Sequence, residues 1–196
     1  MCSSRVAWSF EGGSPGELPA AFVSAGGQWQ VTHDTAAPHS TRVLAQVATS
    51  ADDAFNVVLV ASRHLDLDVF VRLRSVSGRV DQGGGIVWRA QDARNYYIAR
   101  YNPLEDNFRV YKVANGQRVM LKSATLHVDH SAWHTLRITM RGDHIEGYLN
   151  GTKYLDVRDA TFSHAGQIGL WTKADAWTNF DDLRVSMVSS AERRGE

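Results

Sequence analysis

Residues 166–185 read GQIGLWTKADAWTNFDDLRV. This segment predicts a buried strand, a short turn and a final strand that carries Asp181 and Asp182. By the period of two of an extended chain, Asp181 falls on the same side as Leu183 and Val185. A carboxylate directed toward a core is costly unless a cation or hydrogen-bond donors meet it. We therefore expect a bound metal ion, an arginine or backbone donors beside Asp181.

The same alternation of apolar and polar residues recurs along the chain, most clearly in LDLDVFVRL at 65–73. From Trp8 to Val185 such runs give about a dozen strands, at the spacing of about 8–12 residues that is typical of sandwiches and jelly rolls. The pairs Asn115-Gly116 and Asn150-Gly151 indicate two-residue hairpin turns. The sequence therefore predicts an all-β fold, a two-sheet antiparallel jelly-roll β-sandwich. Its predicted core includes Leu65, Leu67, Val69, Val71, Leu73, Leu136, Ile138 and Met140.

The charges of the chain are balanced, with 21 Lys and Arg against 21 Asp and Glu. No broad positive field exists to attract nucleic acid or an anionic membrane surface, so we expect neither partner. With 196 residues and no internal repeat, we expect one domain over 1–188 and a flexible C-terminal tail over 189–196.

No apolar run approaches the roughly 20 residues of a membrane-spanning helix, and the start of the chain lacks the apolar segment of a signal peptide. We therefore expect a soluble domain. The lone Cys2 excludes an internal disulfide framework and leaves the compartment open. The oligomeric state is equally open.

Six segments carry family motifs: GGGIVWRAQDARNYYIARY (83–101), FRVYK (108–112), WHTLR (133–137), YLNG (148–151), GQIGL (166–170) and FDDL (180–183). They resemble the concanavalin-A-like lectin/glucanase superfamily, closest to its laminin-G-like and 3-keto-disaccharide-hydrolase-like branches. The resemblance covers most of the chain from Trp8 onward and implies a jelly-roll sandwich. It is compatible with an extracellular or periplasmic location. Lectins, adhesion modules and hydrolases share this scaffold, so the resemblance implies a fold more than an activity.

The resemblance also implies a structural calcium ion where the first and last strands meet. Carried over by position, it suggests Asp181 as the carboxylate ligand, with Glu11 adding oxygen. Calcium takes about six to eight oxygen ligands, so backbone carbonyls or water would complete the shell. The alternative is that Asp181 pairs with an arginine or caps a turn.

Catalytic carboxylates are harder to identify. The Glu-x-Asp-x-x-Glu pattern expected of a glucanase in this superfamily is absent, because none of the six glutamates begins it. Asp66 and Asp68 lie about 6.5–7 Å apart on one strand face, which meets the minimum spacing for glycoside hydrolysis. Alternating aspartates on a polar face are more often solvated charges balanced by neighbours such as Arg72 and Arg74. We therefore expect a binding module rather than an enzyme.

Aromatic and polar residues interleaved on the sheets indicate a saccharide site, since sugars present apolar C–H faces to rings and hydroxyls to planar polar groups. Trp171 and Lys173 share a strand face opposite Ile168 and Leu170, so they point into a groove if those aliphatic residues pack inward. The predicted ligand-binding residues are Trp88, Tyr97, Arg100, Tyr111, Trp171 and Lys173.

Three functions remain open at this point. The first is a noncatalytic, lectin-like carbohydrate-binding module. The second is a glycoside-acting hydrolase similar to the 3-keto-disaccharide hydrolases, using aspartates such as Asp66, Asp68 or Asp175. The third is a laminin-G-like domain that recognises a protein partner through loops or strand edges.

Overall fold

The computed structural model describes residues 5–39 and 41–187, which form 15 strands and no helix. The strands are β1 (Arg5–Trp8), β2 (Phe22–Ser24), β3 (Trp29–His33), β4 (Arg42–Gln46), β5 (Phe55–His64), β6 (Leu67–Ser77), β7 (Gly84–Asp92), β8 (Asn95–Asn102), β9 (Asn107–Ala114), β10 (Gln117–Thr125), β11 (His134–Arg141), β12 (His144–Leu149), β13 (Thr152–Arg158), β14 (Gly166–Lys173) and β15 (Trp177–Met187). Within these residues no helix is long and apolar enough to cross a membrane. The predicted tail, 189–196, lies outside the described residues.

The strands form two antiparallel sheets, which confirms the predicted all-β sandwich. Sheet A has eight strands in the order β13-β12-β11-β6-β15-β4-β3, and β1 also pairs with β15. Sheet B has seven strands in the order β10-β9-β8-β7-β14-β5-β2. Consecutive strands often pair directly because short turns join them, as at Asn115-Gly116, where both residues have positive φ (53° and 83°).

The main core lies between the two sheets and contains the predicted alternating residues. From sheet A it includes Leu67, Val69, Val71, Leu73, Leu136, Ile138 and Met140, all fully buried. Leu65 was predicted there wrongly: it precedes β6, and 42% of its surface is exposed. The alternation therefore identifies the inward side chains only where the chain is already paired in the sheet.

A β-bulge interrupts the last strand. Phe180 faces the core, with its ring 5.8 Å from that of Trp29, and Leu183 is also a core residue. Asp182 has a φ of 52°, and the register with β6 shifts between Asp181 and Arg184. The extra residue lets Phe180 and Leu183 share the inward face, so the prediction that Asp181 shares a side with Leu183 and Val185 was wrong.

The outer face of sheet B is strongly concave. The guanidinium of Arg118, on β10, lies 5.5 Å from the ring centre of Phe55, on β5. Five strand spacings separate β10 from β5, which in a flat sheet would amount to about 24 Å. The sheet must therefore curl around its outer face and bring its distant strands together there.

Candidate functional site

The concave face holds a second apolar cluster that is separate from the core between the sheets. It consists of Val57, Leu59, Val87, Ala90, Tyr96, Ile98, Tyr111, Val113 and Trp171, with Phe55 at its margin. The side chain of Trp171 is fully buried, and its indole nitrogen donates a hydrogen bond to the Tyr96 hydroxyl at 3.2 Å. A layer of aromatic rings thus lines the bottom of the groove.

Arg118 lies on top of this aromatic layer. Its guanidinium carbon is 4.5 Å from the ring centre of Tyr111, 5.5 Å from that of Phe55 and 5.8 Å from that of Trp171. Cations and aromatic faces attract each other at these distances. The buried Nη1 of Arg118 has no hydrogen-bond partner among the described residues, and burial lowers the pKa of the group. One guanidinium donor is therefore left unsatisfied in the groove.

A row of paired charges continues from Arg118. Arg100, only 1% exposed, donates to Asp81 at 2.9 Å and to Glu105 at 3.1 Å, and Arg109 donates to the same Glu105 oxygen at 2.8 Å. Nε of Arg100 is buried without a partner in the described part of the chain. The network therefore holds its guanidinium groups in place and leaves Nε of Arg100 as a second unsatisfied donor.

The pKa values of the two carboxyl groups of this row are shifted in opposite directions. Burial raises the pKa of Asp81, and the positive charges of Arg100 and Lys173 lower it by less, so that this pKa is raised. Burial also acts to raise the pKa of Glu105, but a hydrogen bond from Asn107 and the charge of Arg100 outweigh it, so that this pKa is lowered. The surroundings therefore favour the protonated form of Asp81 and the ionised form of Glu105, each relative to its ordinary behaviour.

Four of the six predicted ligand-binding residues lie on this face: Arg100, Tyr111, Trp171 and Lys173. Lys173 contributes to the electrostatic field at Asp81 and donates to the carbonyl of Asp52. Gly85 lies between Arg100 and Trp171 in the register of the sheet. A Cβ at this position would lie 1.7 Å from the carbonyl oxygen of Ala99, so the close approach of the backbone requires glycine.

The other two predicted residues, Trp88 and Tyr97, point to the opposite face of sheet B. Both are fully buried between the sheets, where their rings stack 5.5 Å apart. The Trp88 indole contacts the sulfur of Met140, and the Tyr97 hydroxyl donates to Asp159 at 2.7 Å. Their position gives them a packing role and does not support a role in the groove.

The weak catalytic candidates are engaged in structural contacts. Asp68 forms two hydrogen bonds with Arg137, at 2.8 and 2.5 Å. Asp66 accepts from the backbone amide of Gly142 at 2.9 Å. Asp175 accepts from three consecutive backbone amides in the turn that follows β6. These contacts explain the positions of all three carboxylates, and none of the contacts requires a catalytic role.

The predicted calcium ligand Asp181 lies in a break between two strand pairings. On one side of β15, residues 178–180 pair with β4 and residues 183–186 pair with β1, so Asp181 and Asp182 fall between the two ladders. Asp181 is 1% exposed, and its Oδ1 accepts from the Asp182 amide at 2.7 Å. Its Oδ2 is buried with no hydrogen-bond partner among the described residues.

The groups around Asp181 compensate its charge only in part, because the backbone amide of Asp182 and the charge of His39 lower its pKa by less than burial raises it. Burial raises its pKa to about 6, and the charges of Asp182 and Glu11 act in the same direction. Asp182 is itself neutralised by Arg72 at 2.9 Å and Arg184 at 3.0 Å. His39, Asp181 and Asp182 each offer a ligand atom within 4.8 Å of the others. The two carboxylates fit a hard cation such as calcium, which prefers oxygen ligands, whereas the imidazole of His39 does not.

Comparison with known proteins assigns the chain to a family. The model of the galactocerebrosidase C-terminal lectin domain matches residues 56–188, more than half of the chain. This chain belongs to the galactocerebrosidase C-terminal lectin domain family. The part that matches this lectin domain family runs from β5 through β15 and so contains the strands that carry Arg100, Arg118 and Trp171. No curated protein matches the chain.

Solved structures of low sequence identity share the fold of this lectin domain family member. The carbohydrate-binding module CBM66 from Bacillus subtilis is 20% identical with a TM-score of 0.71, and the alignment covers 84% of this chain and 94% of that one. A protein of unknown function with a galectin-like fold, also from Bacillus subtilis, is 13% identical with a TM-score of 0.65, covering 94% and 98%. A galectin from Caenorhabditis elegans is 15% identical with a TM-score of 0.51, covering 63% and 84%. The lectin-like jelly roll is thereby confirmed, whereas the laminin-G-like and 3-keto-disaccharide-hydrolase-like branches stay predictions.

Proposed function

We propose that this chain is a lectin-like carbohydrate-binding module that holds a saccharide in the concave face of sheet B. The observation that carries the proposal is the guanidinium of Arg118 above three aromatic rings, with a buried donor that no described residue satisfies. Membership of a lectin domain family and the likeness to a carbohydrate-binding module support it.

The residues of the groove match the chemistry of a sugar. Each sugar hydroxyl both donates and accepts, and the groove supplies donors from Arg100 and Arg118 beside acceptors from Asp81 and Glu105. Hydrogen bonds to charged partners are about twice as strong as neutral ones. The existing ion pairs fix Arg100, Asp81 and Glu105 before binding, which reduces the entropy lost when a ligand arrives.

Loss of the Arg118 guanidinium should weaken saccharide binding. We expect Arg118→Gln to reduce affinity at least about tenfold, because it removes a charged donor and its contact with the rings. A glycan array identifies the ligand, and titration calorimetry then compares the variants. Lys173→Gln, at the rim of the same groove, provides a second variant whose fold is easier to preserve.

Arg158→Gln is the matched control, because Arg158 is an exposed arginine that pairs with Asp143 at the edge of sheet A. It should bind within about twofold of the wild type, as expected for a surface ion pair. Melting temperatures confirm that each variant is folded. Unchanged affinity in folded Arg118→Gln and Lys173→Gln would contradict the proposed site.

Glycoside hydrolysis on the same face is the second candidate function. One observation favours it: the pKa values of Asp81 and Glu105 are shifted in opposite directions, as in sites that use one carboxyl group as an acid and another as a base. Release of reducing sugar from the bound glycan, abolished in both Asp81→Asn and Glu105→Gln, would support this function. Binding without release supports the noncatalytic module.

For the last strand, we propose that Asp181 and Glu11 contribute to a calcium site. When bound, the ion would neutralise the buried carboxylate, and the two side chains would hold the break between β1, β4 and β15 together. Recognition of a protein partner, the third hypothesis from the sequence, stays a prediction.

A further inference from the structure

A second polar hollow lies on the outer face of sheet A, on the side of the sandwich opposite the concave face. Its volume is about 230 Å³. The residues around it are Arg5, Asp68, Phe70, Arg137, Arg184 and Ser186. Three of the six are arginines and one is acidic, in a chain whose total charge is zero. The hollow is therefore a local concentration of positive charge.

The sheet register explains how these residues come together. The strands β11, β6, β15 and β1 are neighbours in that order. Arg137, Phe70 and Arg184 occupy paired positions in one row across them. In the adjacent row, Asp68 pairs with Ser186.

The second row ends at Arg5, because Ser186 pairs with Arg5 on β1. Serine is the smallest of the six residues that line the hollow, and four of the other five are arginine or phenylalanine. The hollow therefore forms above Ser186, the shortest side chain that lines it.

Two of the arginines are held in fixed positions. Arg137 makes two hydrogen bonds with Asp68 and lies 5.2 Å from the ring centre of Tyr148. Arg184 pairs with Asp182 at 3.0 Å and lies 5.4 Å from the ring centre of Phe70. Side chains constrained in this way lose little entropy when a ligand binds.

Arg5 differs from these two, because it forms no side-chain hydrogen bond or ion pair with any described residue and is exposed. The hydroxyl of Ser186 is likewise without a partner in the described ranges. Asp182 pairs with Arg72 as well as Arg184. The two carboxylates next to the hollow, Asp68 and Asp182, therefore face four guanidinium groups, those of Arg72 and of the three arginines that line it. The positive charge of the hollow therefore exceeds the negative charge next to it, and a ligand with a negatively charged group would balance it.

We propose that this hollow is a second ligand site, which binds the carboxylate or sulfate group of an acidic sugar. Arg5, Arg184 and the Ser186 hydroxyl donate to the oxyanion, and Phe70 contacts the C–H face of the ring. The volume is below the roughly 300–1,000 Å³ of pockets that enclose drug-sized ligands, so the hollow suits one sugar unit. The proposal is independent of the function assigned to the concave face.

The test uses glucuronic acid and glucose 6-sulfate as probes, with glucose and inorganic sulfate as comparison ligands. Calorimetry at low salt compares the wild type with Arg5→Gln and Ser186→Ala, neither of which removes a contact between described side chains. Arg79→Gln is the matched control, since Arg79 is also exposed and its removal changes the net charge equally. Arg118→Gln reports on the concave face in the same experiment.

We expect at least one of the two acidic sugars to bind the wild type, Arg79→Gln and Arg118→Gln with affinities that agree within about twofold. Binding should fall at least about tenfold in Arg5→Gln and weaken with increasing salt. The comparison of carboxylate with sulfate identifies the preferred oxyanion. Glucose should not bind at this face.

Several results would overturn the proposal. An unchanged affinity in Arg5→Gln, or an equal loss in Arg79→Gln, would show that the hollow is not the site. Inorganic sulfate that binds as tightly as the sugar sulfate would show an anion site without a sugar. Failure of both acidic sugars, with Arg5-dependent binding to phosphatidylserine vesicles, would indicate a membrane surface instead.

Discussion

Replacing Arg89 with methionine is expected to lower the free energy of unfolding by about 3–5 kcal/mol. Arg89 is 1% exposed and donates to the carbonyls of Leu65, Gly142 and Phe162, each at 2.8 Å, with Asp66 at 3.4 Å. These partners belong to three separate loops at one end of the sandwich. Methionine fills similar space but leaves three carbonyl groups without the Arg89 donor and removes the positive charge beside Asp66.

Urea denaturation measures this effect as a shift of the transition midpoint at unchanged slope. Arg63→Met is the matched control, because Arg63 makes one comparable hydrogen bond, to the Ala165 carbonyl at 2.7 Å, from an exposed position. Arg63→Met should lower the free energy of unfolding by less than about 1 kcal/mol. A loss of less than about 1 kcal/mol in Arg89→Met as well would refute the idea that Arg89 joins the loops.

Replacing Asp181 with asparagine should stabilise the calcium-free protein by about 2–3 kcal/mol at neutral pH. The native state raises the pKa of this carboxyl group to about 6 from its ordinary value of 3.8, so it favours the protonated form. The stabilising contribution is complete below pH 3.8 and is lost as the pH rises through about 6. The difference in free energy of unfolding between the variant and the wild type should therefore increase across this pH range and stay constant above it.

Denaturation in the presence of a chelator, repeated across this pH range, measures this difference in free energy of unfolding. Asp53→Asn, which removes an exposed aspartate, should show no such pH dependence. Added calcium should raise the melting temperature of the wild type but not of Asp181→Asn, because an ion that binds only the native state stabilises it by mass action. A melting temperature that calcium leaves unchanged in the wild type would count against the proposed ion.

The strands and the main core follow from the sequence because side-chain alternation is a local property. The turns at Asn115-Gly116 and Asn150-Gly151 are equally local, since they need residues that tolerate positive φ, and both join paired strands in the structure. The bulge at Asp182 has no comparable signal, because an aspartate within an alternating run gives no indication of an extra residue.

The candidate site was predicted only in part, for two physical reasons. Sheet B is apolar on both faces, so alternation could not tell which face of Trp88 and Tyr97 was the interior. Arg118 and Asp81 were missed because their approach to Trp171 and Arg100 depends on the curvature of the sheet and on the path of a turn. Contacts between residues so distant in sequence are not encoded in any short pattern.

The hollow at Ser186 and the groove at Arg118 open on outward faces of different sheets. Ligands held at the two places would be separated by the whole thickness of the sandwich and would not touch each other. If both sites are occupied, one molecule of the protein would hold two glycan chains on opposite sides of the sandwich. A monomer could therefore crosslink glycans without forming a dimer.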